Sequence, residues 1–101
     1  MILQLVLQFR GESLSKFLEL KIPEEDFETI SKAPDSFDGI VIQKNGINVF
    51  YYTNDPAEVF RSARSLLANA ELASGFTAAY RVVASSKFRI LWPKDATNFT
   101  L

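Results

Sequence analysis

"IVIQKNGINVFYYTNDPAEVF", residues 40–60, contains two junctions whose reading decides the fold. The first is Asn45-Gly46. Two runs rich in β-branched and aromatic residues flank it, and Asn-Gly suits a type I′ turn because both central positions need positive φ. A two-residue turn there sets Lys44 opposite Ile47. Ile40, Ile42, Ile47, Val49 and Tyr51 then share one face, with Val41, Gln43, Asn48, Phe50 and Tyr52 on the other.

The second junction is Asn54-Asp55-Pro56-Ala57-Glu58. A carboxylate following two tyrosines could serve a catalytic loop, but the spacing fits a helix start better. Asp55 accepts a backbone N–H as N-cap, Pro56 has no N–H to leave unpaired, and Glu58 reaches back as in a capping box. The strand therefore runs directly into a helix. Its apolar stripe is Val59, Phe60, Ala63, Leu66, Leu67 and Ala70, with Gly75 as terminator.

Working outward, "ILQLVLQFR" at 2–10 alternates as a strand. Leu3, Leu5, Leu7 and Phe9 form one face, and Gln4, Val6, Gln8 and Arg10 the other. "ESLSKFLEL" opens a helix with Ser13 as N-cap, and Pro23 interrupts it before an acidic turn of Glu24, Glu25, Asp26 and Glu28. The pattern predicts a kinked or split helix over 14–32. A strand at 17–22 is the competing reading, because Leu18, Leu20 and Ile22 alternate with Glu19 and Lys21. "APDSFDG" at 33–39 reads as a loop. "FTAAYRVV" and "KFRILW" read as two further strands around Ala84-Ser85-Ser86.

The order β-α-β-β-α-β-β predicts an α+β domain of ferredoxin-like type over residues 1–93. Both helices cover one face of the sheet, the first and third strands lie side by side in parallel, and an extra C-terminal strand extends the fourth. Residues 94–101 are expected to form a polar, frayed tail.

Composition narrows the chemistry. One core fits in 101 residues, and a hydrophobic fraction of 48% is ample for it. The absence of cysteine removes disulfides and thiolate chemistry, and the absence of histidine removes the commonest general base. With 11 basic and 12 acidic residues the net charge of −1 attracts neither nucleic acid nor an anionic membrane. Gln4, Gln8 and Arg10 break the N-terminal apolar run, which argues against a signal peptide, and no stretch reaches the length that spans a bilayer. The expectation is a cytoplasmic protein.

Two surfaces draw attention. If the ends of the first and third strands meet, Arg10 and Asp55 share one edge with two helix N-termini, an arrangement suited to anions. Arg10, Tyr52, Asn54, Tyr80 and Arg81 are the ligand-binding candidates there, although Arg10 could instead pair with Asp55 or Asp38. The second surface is the sheet face away from the helices. Gln4, Val6, Gln8, Phe50 and Tyr52, with Trp92 nearby, are candidates for a protein interface. An RNA-binding sheet is disfavoured because the first strand offers Gln and Val on that face and turns Phe9 to the core. The acidic turn lacks the alternation and glycine of a calcium loop, and the four glycines form no phosphate cradle. No catalytic residues, metal or cofactor are assigned.

"QLVLQFRGESL", "NVFYYTNDP", "TAAYR" and "ILWP" resemble a group of small bacterial proteins sharing a QFRG-SL opening, an N-F-T-DP junction and a terminal LWP. The matching positions are Arg10, Gly11, Asn48, Phe50, Thr53, Asp55, Pro56, Tyr80, Arg81, Trp92 and Pro93. The resemblance implies a ferredoxin-like fold and carries over no activity. The expected function is a non-enzymatic binding or interaction module, a homodimer or one part of a protein pair, joined through the open face or an edge strand. A small-ligand sensor centred on Arg10 is the alternative, and a hydrolase or isomerase ranks third.

Overall fold

The computed structural model describes residues 2–30, 36–69 and 75–101. Among them the elements run β1 (Leu3–Phe9), α1 (Glu12–Leu20), α2 (Glu24–Thr29), β2 (Ser36–Gln43), β3 (Gly46–Thr53), α3 (Pro56–Asn69), β4 (Phe76–Val82) and β5 (Arg89–Trp92). The chain is an α+β protein whose strands form one sheet in the order β2-β3-β1-β4-β5. Every neighbouring pair is antiparallel.

That last point corrects one expectation. β1 and β3 are adjacent, but they run in opposite directions, with Leu3 opposite Thr53 and Phe9 opposite Ile47. The helical connection after β1 returns the chain to its starting end, so β2 runs with β1. The hairpin then reverses β3.

Leu5, Leu7 and Phe9 of β1, Ile47, Val49 and Tyr51 of β3, and Phe76 and Ala78 of β4 line one face of the sheet. They form a single cluster with Phe17, Phe27, Val59, Phe60, Ala63 and Leu67 from the helices, so α1, α2 and α3 all pack on this side. Burying each large apolar side chain contributes about 1.5–3 kcal/mol, which makes this layer the main source of stability. The stripe predicted for α3 is the buried one, with Leu66 half-buried at its margin. Ala70 and the approach to Gly75 lie outside the described residues, as do positions 31–32 of the helix and 33–35 of the loop.

The first helical region is split. Lys21 adopts a left-handed conformation (φ 51°, ψ 48°) after α1, and an extended Pro23 precedes α2. The strand alternative over 17–22 is not adopted: Phe17 points to the core while Leu18 and Leu20 lie exposed on the outer side of α1. Ser13 is not the cap. Gly11 holds that position at φ 62°, and the buried Ser13 hydroxyl accepts from the Arg10 N–H (3.0 Å) and donates to the Arg10 carbonyl (2.8 Å). It closes the strand–helix corner from inside the first turn.

The hairpin turn also shifts. Gln43 pairs with Gly46 and Ile42 with Ile47, so the loop residues are Lys44 and Asn45, and none of residues 44–46 has positive φ. Gly46 sits in a tight space. A Cβ there would lie 3.1 Å from the Phe9 carbonyl oxygen and 3.2 Å from Arg10 Cγ. Moving the turn by one residue changes the pairing by two positions, so every side chain keeps its predicted face. β2 begins earlier than expected: Ser36 to Gly39 belong to the strand, with a bulge between Phe37 and Gly39 that returns Phe37 to the core side against Tyr51, 5.5 Å between rings.

Candidate functional site

Asp55 serves the helix. Its Oδ1 accepts the Glu58 N–H at 3.2 Å, and its carbonyl accepts from Val59 at 3.3 Å. Pro56 is the first helical residue. The reciprocal bond expected of Glu58 is replaced, since the Asp55 N–H is donated to Thr53 Oγ1 at 2.9 Å. The threonine before the turn does the work assigned to the glutamate.

The antiparallel pairing separates Arg10 from Asp55. Arg10 follows Phe9 at the end of β1 that meets Ile47, whereas Asn54 and Asp55 follow Thr53 at the other end, opposite Leu3. The N-termini of α1 and α3 are therefore at opposite ends of the sheet, and the anion site proposed around Arg10 does not assemble. Arg10 pairs with neither aspartate. Its Nη2 donates to the Thr100 carbonyl at 3.1 Å.

That bond belongs to a larger rearrangement of the second sheet face. Register places Gln4, Tyr52 and Arg81 in one row across β1, β3 and β4, and Gln8, Asn48 and Thr77 in another. Gln4, Val6 and Gln8 are buried, and so are Asn48 and Ala79. Gln8 Nε2 donates to Asn48 Oδ1 (3.0 Å) and to the Thr100 carbonyl (2.9 Å). Arg81 Nε donates to Gln4 Oε1 (2.8 Å), and its guanidinium lies 4.8 Å over the Phe88 ring. Phe88 in turn packs on Phe99, 4.8 Å between centroids. The C-terminal segment thus folds back across the face that was expected to stand open, and the tail is not frayed. A single chain supplies the cover that Gln4, Val6 and Gln8 need, so these three present no surface to a partner. Phe50 and Tyr52 remain half-buried beside them.

Trp92 lies away from the second face. It packs on the core side against Phe60 at 6.3 Å, Arg64 lies 4.1 Å over its ring, and its indole Nε1 is buried without a hydrogen-bond partner. Tyr80, on the core side of β4, and Arg81, on the other, meet at one concavity. A cavity of about 290 Å³ at the β4–β5 hairpin is lined by both, together with Val82, Ser85, Lys87 and Arg89. Sequence reasoning missed Lys87, whose only signal was its place in the turn between the last two strands. It also missed Phe99 and Thr100, although a lone phenylalanine in a polar tail was a usable hint.

The acidic turn stays on the surface, with Glu24, Glu25 and Glu28 exposed, and the described residues contain no carboxylate group arranged to hold a metal. No helix among them is long and apolar enough to cross a membrane. The outer edge of β2 carries the most exposed large hydrophobic side chain of the described residues, Ile42 at 67%, next to Val41 at 45%. No protein-family model, curated protein or solved structure matches the chain.

Proposed function

We propose that the protein is a non-enzymatic interaction module, a ferredoxin-like domain extended by β5, which self-associates through the free edge of β2. The observation that carries this reading is the position of β2 at the end of the strand order, with Val41 and Ile42 exposed along it. An edge strand offers a row of unpaired N–H and C=O groups to another strand. Natural edges are blunted by bulges, charges or prolines. Here the bulge lies between Phe37 and Gly39, leaving Ile40 to Gln43 regular and free of charge.

A second copy related by a two-fold axis would bring the same segment alongside in antiparallel orientation, continuing the sheet across both chains. With the axis at Val41, Val41 would lie opposite its counterpart on one face, and Ile42 opposite Ile40 of the second copy on the other. The sheet-face mode of association loses support because the chain's own tail occupies that face. A specific interface of this kind buries at least about 1,000 Å² in total.

Sedimentation at micromolar concentration tests the reading. The parent chain should behave as a dimer and Ile42→Lys as a monomer with unchanged circular dichroism. A parent that remains monomeric at the highest soluble concentration overturns it.

A further inference from the structure

We infer that the concavity of the β4–β5 hairpin is a binding site for a small phosphate-bearing anion, centred on Arg81. This goes beyond self-association, because it lies at the opposite end of the strand order from β2.

Arg81 is held before any ligand arrives. Its Nε is engaged by Gln4 at 2.8 Å, its Nη1 donates to the Ser85 carbonyl at 3.3 Å, and its plane lies over Phe88. These contacts fix the guanidinium on three sides and leave Nη2 unspent. A pre-set arginine fork loses little entropy on binding an oxyanion, and it suits phosphate better than a point charge does.

The rest of the lining has the same sign. Lys87 and Arg89 join Arg81 around the cavity, and no acidic residue lines it. Among the described residues neither the Lys87 nor the Arg89 side chain has an ion-pair or hydrogen-bond partner. Ser85 Oγ accepts the Lys87 backbone N–H at 3.1 Å, which leaves its own proton free. The wall is therefore a set of donors with no carboxylate among them. In a chain of net charge −1, three unneutralised cations around one hollow mark a site for a multiply charged anion. A volume of about 290 Å³ exceeds a bare phosphate and accommodates a phosphorylated small molecule, with Val82 as an apolar contact for its organic part.

The test is a two-dimensional NMR titration of the full chain with sodium pyrophosphate in about 0.15 M potassium chloride, where long-range attraction is screened. Saturable shifts should appear in the amides of residues 80–89. The double variant Lys87→Gln/Arg89→Gln, whose exposed side chains support no other part of the fold, should weaken the interaction by roughly tenfold or more. Arg61→Gln, an exposed cation on α3, should leave it unchanged. Shifts that never saturate, shifts reproduced by adding the same ionic strength as potassium chloride, or an unaltered double variant would each overturn the site.

Discussion

The Tyr51 hydroxyl donates a 2.7 Å hydrogen bond to the carbonyl of Phe27, joining the central strand β3 to the short helix α2 across the core. Both residues are fully buried. A helix of six residues following a break at Lys21 has little stability of its own, because nucleation is unfavourable and few internal bonds repay it. Its place is fixed from outside, by the Phe27 ring stacked 5.6 Å from Phe17 and by this single phenol. The bond explains why a tyrosine, and not a phenylalanine, stands in an otherwise apolar layer.

Tyr51→Phe should therefore destabilise by about 1–3 kcal/mol, the penalty for a buried carbonyl left without a donor. The pH dependence has a definite sign. Burial pushes the Tyr51 phenol well above its ordinary value near 10. The unfolded chain releases this proton at about pH 10 while the folded chain retains it. Stability from this group is thus complete below pH 10 and lost progressively as pH rises beyond it. Chemical denaturation at increasing alkaline pH should show a steeper loss for the parent than for Tyr51→Phe. Parallel curves would refute the role given to the phenol.

Asp55→Ala should lower stability by about 0.5–2 kcal/mol, since it removes the acceptor for the Glu58 N–H. Asp55→Ser should recover most of the loss. Glu58→Ala should be close to neutral, because Thr53, not Glu58, receives the Asp55 N–H. Thermal melts of the three variants separate this arrangement from a full capping box, which would make Glu58→Ala costly.

The elements legible in sequence were those with a strong period or a strong local signal. The alternation of Leu3 to Phe9, the stripe from Val59 to Leu67 and the Asp55-Pro56 cap all stand where their patterns put them. The antiparallel direction of β3 relative to β1 follows from a crossover followed by a hairpin, and it sets Arg10 and Asp55 at opposite ends of the sheet. The turn position was obscured because Asn-Gly satisfies two registers, and the choice between them rests on Gly46 approaching β1, a long-range contact. Least legible was the cover of the second face. Gln8 and Arg10 bind the Thr100 carbonyl, a backbone group that carries no residue-type signature at all.

Gly46→Ala should destabilise through crowding. The added carbon meets the Phe9 carbonyl oxygen at 3.1 Å, closer than most packed contacts, and the β1 backbone cannot yield without disturbing its pairs with β3 and β4. A loss of about 1–3 kcal/mol is expected, as for other overpacked positions. Asn45→Gly supplies the contrast. If the turn needed positive φ, glycine at 45 would stabilise it. With neither loop residue in that region, the substitution should instead be neutral or slightly destabilising in denaturant titrations.

Removing residues 98–101 should uncover the second face without touching the helical layer. The deletion takes away Phe99, whose ring packs on Phe88, and the Thr100 carbonyl that accepts from Gln8 and Arg10. Gln8 would keep its bond to Asn48, so the strand pairing should persist, while Val6, now 0% exposed, would lie nearer to water. Apolar surface uncovered in this way promotes association. The truncated chain should bind a hydrophobic dye and sediment as larger species, and it should do so even when Ile42→Lys blocks the β2 edge. Faster amide exchange should be confined to the second-face residues of β1 and β4. A truncated chain that binds no dye and exchanges like the parent would show that the tail merely rests on a surface already closed by the sheet's own side chains.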